Sequence, residues 1–458
     1  MDKKDLTITG NNLALLTDLY ELTMAASYFH HKMFAPATFS LFIRDYPPNR
    51  GYFVSAGLDD VLDFLESFSY SKEDIDFLQG RELFKQDFLD FLSHLCFTGE
   101  VRAIEEGRLF FKDEPVLEIT APIIEAQLVE TYVINAINLQ VSIATKASRC
   151  VHASEGRRLV DFSLRRTQGT DAGLKVARSS YLAGFAGTSN VMAGMKYGIP
   201  IFGTMAHSYI TSFNEEIDAF RSYAETFPKN TVLLIDTYDT VSGAQKAAAV
   251  GREMLARGER LTGVRLDSGD MAALSKEVRA VLRGAGLGDV MIFASGGFDE
   301  YKIARAIEKA AEIDAFGVGT KMGVAADAPY TDMAYKLVKY NGQPVLKLSS
   351  GKKTLVDEKQ VFRSRNEGKL TGDTIALRTE RLGGEPMLRR VMGSGKRLEP
   401  PETLPGIRER FQKEFAMLDG RYKRLDNPAH LPIALSAGLR ELQEQVIHQV
   451  KEKELGES

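Results

Sequence analysis

Cysteine is scarce in this sequence of 458 residues, which contains only Cys96 and Cys150. Two cysteines cannot form a disulfide framework or a cysteine-rich metal site, so both of these classes are excluded. Long apolar runs are absent as well. The first residues, MDKKDLTITGNN, contain no apolar signal core, and no later stretch reaches the length of a membrane span. We therefore expect a soluble cytoplasmic protein without a membrane partner.

A strong excess of charge of either sign is also missing. The 58 lysine and arginine residues nearly balance the 62 aspartate and glutamate residues, and the net charge is −4. This balance argues against nucleic acid or an anionic membrane as the main partner, so any anionic ligand must be bound by local groups. The length favours two or three domains, and 44% hydrophobic residues are enough for a large core.

The first part of the chain combines helical and strand-like patterns. Apolar residues recur at three- and four-residue spacing in 13–30 and 57–68, which predicts helices, whereas 37–47 is typical of a strand. Short β-rich runs broken by glycine and proline at 99–122 predict a small sheet. The stretch 123–153 predicts one long helix.

From about residue 157 short apolar runs alternate with helical segments such as 241–258 and 271–286. The predicted strands are RRLVDF (157–162), IPIFGT (199–204), TVLLID (231–236), LTGVRLD (261–267), VMIFAS (290–295) and IDAFGVG (313–319). This alternation predicts parallel strands with helical crossovers, in either a barrel or an open doubly wound sheet. After residue 335 short strands punctuated by glycine precede an amphipathic helix predicted at 431–453.

Polar residues follow these predicted strands, at the end where parallel α/β folds bind ligands. The glycine-rich turns 295-SGG-297 and 317-GVGT-320 suit phosphate, because glycine lets backbone N–H groups approach an anion closely. Glycine in a single turn can serve geometry alone, but two such turns on successive strands are the usual form of a barrel phosphate site. Asp236 and Asp267 are candidate Mg²⁺ ligands. Asp267 could instead cap the following helix, the role that we favour for Asp270.

His207 is the one histidine of the seven that combines the end of a predicted strand with small neighbours, Ala206 and Ser208. These neighbours would let a ligand reach the imidazole. The alternative is a core histidine that is hydrogen-bonded to the backbone. Composition alone leaves both interpretations open.

Several motifs, in the same order along the chain, resemble those of the nicotinate phosphoribosyltransferase family. They are TDLYELTMAASY (17–28), DFSLRRTQG (161–169), GTSNVMAG (187–194), GTMAHS (203–208), VRLDSGD (264–270), SGGFDE (295–300) and KKTLVDEKQVFR (352–363). The resemblance implies a type II phosphoribosyltransferase, with an irregular, TIM-like parallel α/β barrel over 136–335. A second, α+β sandwich-like domain would comprise 1–135, and the C-terminal segment 336–458 would return to it and end in a helix.

The implied reaction joins nicotinate to 5-phosphoribosyl 1-diphosphate and gives nicotinate mononucleotide and diphosphate, for NAD biosynthesis. It is of the ATP-dependent ligase type and uses Mg²⁺. ATP hydrolysis is coupled through transient phosphorylation of the histidine in the GTMAHS motif, here His207. The resemblance also implies a homodimer with composite active sites, whose partners are small-molecule substrates and not nucleic acid.

The resemblance assigns roles to individual residues. Phe162 stacks on the pyridine ring and Arg165 pairs with its carboxylate, while Tyr20 covers the other ring face from the partner subunit. Arg265 and Asp267 are the implied catalytic residues beside His207. Arg265 and Asp267 match the family's contacts to ribose and diphosphate, with Asp236 also near the diphosphate, and Thr204 is a further substrate contact. The two glycine-rich turns match the family's 5′-phosphate cradle, with Ser295, Gly296 and Gly297 in the first and Gly317, Gly319 and Thr320 in the second.

Ser189 bears on specificity. Nicotinamide phosphoribosyltransferase has an aspartate at this position, which accepts a hydrogen bond from an amide but repels a carboxylate, so Ser189 favours nicotinate. Ser163 departs from the family pattern, which commonly has glycine there. The alternatives are a phosphoribosyltransferase for nicotinamide or quinolinate, and a non-catalytic phosphosugar-binding sensor.

Overall fold

The computed structural model describes residues 10–348 and 354–456. Residues 349–353, which include the two lysines that begin the KKTLVDEKQVFR motif, lie outside the described residues. The chain divides into two units, one made of the residues up to Ser142 and from Tyr330 onward, the other of Ile143–Pro329. The division lies a few residues from the boundaries predicted at 135 and 335.

The N-terminal part of the chain alternates short helices and strands. After a 3₁₀ helix at Gly10–Leu15, its helices are α1 (Leu19–His30), α2 (Leu58–Ser67), α3 (Lys72–Gln79), α4 (Gln86–Leu92), α5 (Ile123–Leu128) and α6 (Glu130–Ala153). Its strands are β1 (Pro36–Ile43), β2 (Phe53–Val54), β3 (Glu100–Ile104), β4 (Leu109–Phe110) and β5 (Leu117–Pro122). The helix predicted at 57–68 is confirmed, but the single helix predicted over 123–153 is wrong. Val129 donates its N–H to the Gln127 carbonyl and ends α5 before α6 begins.

Residues 143–329 alternate strands and helices, as the sequence predicts. The strands are β6 (Arg158–Asp161), β7 (Gly187–Thr188), β8 (Val232–Leu234), β9 (Gly263–Leu266), β10 (Met291–Ala294) and β11 (Ala315–Val318). The helices are α7 (Thr170–Leu182), α8 (Val191–Tyr197), α9 (His207–Thr211), α10 (Glu216–Thr226), α11 (Thr240–Ala256), α12 (Met271–Gly284), α13 (Glu300–Glu308) and α14 (Thr320–Gly323), with a 3₁₀ turn at Leu164–Arg166. The helices predicted at 241–258 and 271–286 are confirmed in α11 and α12.

The strands of this unit form one parallel sheet in the order β7-β6-β11-β10-β9-β8. Most of its residues are buried, the pattern of a parallel sheet covered by helices. The strand predicted at 199–204 is wrong, because only an isolated bridge joins Ile201 to Thr188. Pro200 has no N–H to donate and Gly203 weakens a strand, so no ladder forms here.

The segment 201–207 links the two edges of the sheet. Ile201 lies beside β7, whereas Thr204 accepts a hydrogen bond from Arg265 of β9, and His207 contacts Thr237, which follows β8. These contacts involve side chains and one bridge but no strand ladder, and together with the parallel sheet they fit an irregular α/β barrel. An apolar cluster on this sheet contains Val160, Phe162, Met291, Phe293 and Ala315, and Arg265 lies in register beside Phe293 on the same face.

The C-terminal part completes the first unit. Its strands are β12 (Met333–Tyr340), β13 (Gln343–Pro344), β14 (Lys359–Asn366), β15 (Lys369–Leu377), β16 (Glu385–Pro386), β17 (Leu388–Gly393), β18 (Lys396–Arg397) and β19 (Ile433–Leu435). Its helices are α15 (Leu404–Met417), α16 (Gly420–Lys423) and α17 (Ala437–Leu455). The helix predicted from residue 431 starts only at α17, because β19 pairs with β15.

The first unit is an α+β domain built on mainly antiparallel sheets, in which β15 and β19 pair in parallel. One sheet has the order β13-β12-β1-β5-β3-β17-β18 and the other β16-β14-β15-β19, while β2 pairs with β4. Buried apolar side chains from both sheets and from the N-terminal helices form one core. Among residues 10–348 and 354–456, no helix has both the length and the apolarity that a membrane span requires.

Candidate active site

The carboxyl ends of the barrel strands lie at one edge, and each is followed by polar residues that start a helix. Asp239, Asp270 and Asp299 cap α11, α12 and α13 by accepting backbone N–H groups of the first helical turn. The capping role predicted for Asp270 is therefore confirmed. The residues just before these caps do not cap the helices and are therefore candidates for contacts with a ligand. They are 236–237, 267–268 and 295–297.

Asp267 lies between the imidazole and the first glycine-rich turn. Its Oδ1 accepts a hydrogen bond from Ser295 Oγ at 2.5 Å, and its Oδ2 is 3.9 Å from His207 Nε2. Its backbone N–H donates to Asp236 Oδ2 at 2.8 Å. The structure thus brings together four residues that the sequence singled out, although they come from four different segments of the chain.

His207 is the first residue of α9, and its side chain is 43% exposed. Its Nδ1 lies 3.1 Å from Thr237 Oγ1. The alternative of a core histidine bound to the backbone is wrong, because the imidazole is accessible and its hydrogen-bond partner is a side chain. The sequence analysis did not single out Thr237, and its contact with the imidazole was missed.

Asp236 supplies the carboxylate beside Asp267. Its Oδ2 accepts hydrogen bonds from the Asp267 N–H and from Ser268 Oγ. Its Oδ1 is buried and accepts no hydrogen bond from the residues that the structure describes. A buried carboxylate oxygen without a donor suits a cation, and Mg²⁺ binds through one or two carboxylates while it keeps several waters. The described ranges contain no cluster of three or more His, Cys, Asp or Glu side chains that could hold a metal alone.

Arg265 projects from β9 toward the segment that closes the barrel. One Nη1–H donates to Thr204 Oγ1 at 2.6 Å, while the buried Nε–H meets no acceptor among the described residues. Burial lowers the pKa of Arg265, and the nearby positive charge of Arg165 adds to this effect, although Asp267 and Asp236 oppose it. Arg265 therefore retains unused donors for an anionic ligand.

Phe162 forms an aromatic wall of the site. Its backbone N–H donates to the Val318 carbonyl at 2.8 Å, and its ring centroid is 5.5 Å from that of Phe293. A Cβ at Gly317 would come within 2.7 Å of the Phe162 ring, so glycine is needed there for ring packing. The turn predicted at 317–320 is wrong at its start, because Gly317 and Val318 belong to β11. Gly319 alone separates that strand from α14.

Asp161, a carboxylate that the sequence analysis missed, fixes the turn behind Phe162. Its Oδ1 accepts from the N–H and the hydroxyl of Ser163, and its Oδ2 accepts from Thr188 Oγ1. Burial raises the pKa of Asp161, and these hydrogen bonds oppose the rise. The Asp161 carbonyl also accepts the Ser189 N–H at 2.8 Å. Ser163, which departs from the family pattern, is thus accommodated in this turn because it donates hydrogen bonds to the buried Asp161 carboxylate.

The turn at 295–297 lies close to Asp267. Gly296 and Gly297 have φ values of +95° and +67°, which favour glycine. A Cβ on Gly296 would come within 1.9 Å of the Asp267 carbonyl oxygen. Beside the turn, Lys302 Nζ donates to the Gly296 carbonyl at 2.5 Å, and Lys321 pairs with Asp299 at 2.7 Å. The sequence analysis missed both lysines, since neither lies in a glycine turn or at a strand end.

The remaining predicted site residues differ in their exposure. Arg165 is exposed on the 3₁₀ turn, Ser189 is half-buried after β7, and Thr320 is exposed as the first residue of α14. Tyr20 belongs to the other unit, where its side chain is 47% exposed on α1. Burial and the neighbouring Glu130 raise the pKa of Tyr20.

Comparisons with known proteins agree with the motifs. Three family models match the chain. The nicotinate phosphoribosyltransferase (NAPRTase) N-terminal domain matches residues 15–138, the NAPRTase family model matches 157–371, and the nicotinate phosphoribosyltransferase C-terminal domain matches 382–443. The nicotinate phosphoribosyltransferase pncB2 of Mycobacterium tuberculosis is 47% identical over 425 residues, covering 92% of this chain and 91% of the relative. The Bacillus subtilis nicotinate phosphoribosyltransferase is 36% identical, with 97% of both chains covered. The crystal structure of human nicotinic acid phosphoribosyltransferase matches with a TM-score of 0.84 and 29% identity, over 94% of this chain and 99% of the human chain.

Proposed function

This chain belongs to the nicotinate phosphoribosyltransferase family and is an enzyme of NAD biosynthesis, and we propose that it couples nucleotide synthesis to ATP hydrolysis through a phosphorylated His207. The substrates are nicotinate and 5-phosphoribosyl 1-diphosphate, and the products are nicotinate mononucleotide and diphosphate. One observation carries the coupling. Asp267 contacts both His207 and Ser295, so the imidazole is linked to the proposed phosphate-binding turn through a single carboxylate.

Bond formation needs no general base. The pyridine nitrogen of nicotinate is unprotonated at neutral pH and can attack C1 of the ribose directly. The barrier lies in orienting the two substrates and in the charge that develops on the departing diphosphate. Phe162 provides a flat apolar surface for the pyridine ring, and Arg165 pairs with the nicotinate carboxylate. Arg265, with its unused donors, binds ribose and diphosphate oxygens.

Mg²⁺ is the cation that the carboxylates favour. Asp236 and Asp267 would hold it, and the unpartnered Oδ1 of Asp236 supports this assignment. When bound, the ion supplies positive charge that stabilises the departing diphosphate. The protein side chains orient the substrates around it.

His207 is the proposed nucleophile toward ATP. A proton on Nδ1, donated to Thr237, leaves the lone pair on Nε2, the nitrogen nearer Asp267. Nε2 attacks the γ-phosphorus, the bond to the bridging oxygen breaks, and ADP leaves. Water later hydrolyses the phosphoimidazole, so each cycle consumes one ATP and restores the imidazole.

A homodimer with composite sites is the proposed assembly, with Tyr20 of the partner subunit covering the free face of the nicotinate ring. Two groups of exposed apolar side chains support an interface, one on each unit. On the N-terminal unit these are Leu16, Leu19 and Tyr20, and on the barrel they are Val191, Met192, Met195, Ile201 and Phe202. The second group borders the segment that leads to His207.

A turnover assay with nicotinate, nicotinamide and quinolinate, each with and without ATP, tests the substrate. We expect turnover of nicotinate that ATP stimulates. Quinolinate has two carboxylates and would need more basic groups than Arg165 provides. Faster turnover of nicotinamide or quinolinate would overturn the assignment, and absence of turnover with every ring would favour the sensor alternative.

The coupling has its own test, in which γ-labelled ATP is incubated with wild type and with His207→Ala. We expect label on the wild type that is stable in base and lost in acid, and none on the variant. His207→Ala should retain slow synthesis without ATP, because substitution at the ribose carbon does not itself use the phosphoryl group. Label on the variant equal to that on the wild type would move the phosphoacceptor elsewhere.

A further inference from the structure

Lys302 occupies the side of the glycine turn that faces α13. It is the third residue of that helix, and its ammonium lies between two groups of the preceding loop. Nζ donates to the Gly296 carbonyl at 2.5 Å, and it stands 4.5 Å from the centroid of the Phe298 ring. The ammonium is thus held on one side by an aromatic face and on another by a backbone carbonyl.

The contact with Gly296 matters because a backbone carbonyl repels an anion. A turn that binds phosphate must present N–H groups to it and direct its carbonyl oxygens elsewhere. Gly296 has a positive φ, and because glycine has little conformational preference of its own, a hydrogen bond to its carbonyl helps to fix the direction of this peptide group. Lys302 supplies that constraint through a charge-assisted hydrogen bond.

The ammonium also retains capacity for an anion. It has three N–H donors, and within the described part of the chain the Gly296 carbonyl is the one acceptor that it contacts. The neighbouring Lys321 is instead paired with the Asp299 carboxylate. Burial, and then the positive charge of Lys321, lower the pKa of Lys302. The negative charges of Asp299 and Asp267 oppose this lowering.

We infer that Lys302 is a positioning residue for the 5′-phosphate of 5-phosphoribosyl 1-diphosphate, holding the Gly296 carbonyl away from the phosphate and adding positive charge to the 295–297 turn. This inference rests on the proposed function, which places the 5′-phosphate at that turn. It adds a charged side chain to a site whose implied contacts are otherwise the glycines of the two turns and the hydroxyl residues Ser295 and Thr320.

Binding of three probes to Lys302→Met tests the inference by calorimetry. Ribose 5-phosphate has the 5′-phosphate but no diphosphate. Inorganic diphosphate, added with Mg²⁺, has no 5′-phosphate. Nicotinate has neither group. Loss of a charge-assisted hydrogen bond predicts that the Kd of ribose 5-phosphate rises by roughly tenfold or more. The Kd values of diphosphate and nicotinate should change by less than about twofold. In turnover, KM for 5-phosphoribosyl 1-diphosphate should rise more than kcat falls.

Two further variants separate this role from a general effect of the substitution. Lys302→Arg keeps a cationic donor and should restore most of the affinity for ribose 5-phosphate. Arg305→Met removes the same charge from an exposed position one turn along α13 and should bind all three probes like the wild type. Unchanged affinity of Lys302→Met for ribose 5-phosphate would overturn the inference. An equal loss of affinity for all three probes, together with a lower melting temperature, would also overturn the inference, because Lys302 would then have only a structural role.

The proposed function is checked in the same preparations. If the wild type does not form nicotinate mononucleotide from nicotinate and 5-phosphoribosyl 1-diphosphate, the proposed function fails. If the wild type is active and Lys302→Met binds ribose 5-phosphate normally, only the inference about Lys302 fails.

Discussion

The Nδ1 atom of His207 lies 3.1 Å from Thr237 Oγ1 and so fixes the imidazole with Nε2 toward Asp267. Thr237→Val keeps the shape of the side chain but removes this partner. A neutral hydrogen bond contributes about 0.5–1.5 kcal/mol, so the initial rate of His207 phosphorylation by γ-labelled ATP should fall by roughly threefold to tenfold. Thr237→Ser is the control and should label at nearly the wild-type rate. Labelling of Thr237→Val at the wild-type rate would show that Thr237 does not orient the ring.

Ser189 allows a test of substrate choice. Its backbone N–H is bound to the Asp161 carbonyl, which places it next to the turn that carries Phe162 and Arg165. Ser189→Asp would add a carboxylate near that of nicotinate, and juxtaposed like charges cost several kcal/mol. We expect KM for nicotinate to rise by roughly tenfold or more, and use of nicotinamide to improve. Ser189→Asn, which adds similar volume without charge, is the matched control, and equal kinetics for the two variants would remove the electrostatic argument.

Ser163 and Gly323 form a pair that can be tested by compensation. A Cβ on Gly323 would lie 2.3 Å from Ser163 Cβ, so Gly323→Ala should lower the melting temperature and raise KM for nicotinate. Ser163→Gly alone loses the hydroxyl bond to Asp161, which costs about 1 kcal/mol. The double variant removes the clash and should be more stable than Gly323→Ala alone. Additive losses in thermal unfolding would contradict the contact.

The parts of the fold that could be predicted are those in which burial of a strand or helix produces a recognisable pattern of apolar residues. Parallel strands covered on both faces give continuous apolar runs, and β8 to β11 were located on that basis. The strand predicted at 199–204 failed because a short apolar run does not reveal whether a partner ladder exists. The closure of the barrel depends on contacts between residues far apart in sequence, such as Thr204 with Arg265, and no local pattern encodes them.

The site was predictable mainly through its motifs. His207 was selected because small neighbours surround it after a predicted strand, and Asp267 because it follows another, and the structure brings both side chains to one place although the strand before His207 does not form. Asp161 escaped notice because a carboxylate inside an apparent strand is unremarkable until its three donors are known. Lys302 was missed for a related reason, since its acceptor is a backbone carbonyl whose direction depends on the positive φ of Gly296.

The composite site gives the last prediction, which mixes two inactive homodimers. If Tyr20 of one subunit completes the site that contains Arg165 of the other, a heterodimer of Tyr20→Ala and Arg165→Ala chains has one intact site and one with both defects. Random exchange of equal amounts makes about half of the dimers heterodimers, so roughly a quarter of wild-type activity should return, as a two-fold symmetric interface requires.

The matched control mixes Arg165→Ala with Phe162→Ala. Both residues lie on the turn after β6 of one chain, so every site in that mixture retains a defect and activity should not return. Native mass spectrometry must show that subunits exchange in both mixtures. If subunits exchange in the Tyr20 mixture but activity does not return, each site is completed within its own chain. A residue that the partner supplies across the two-fold axis would restore one site in every heterodimer.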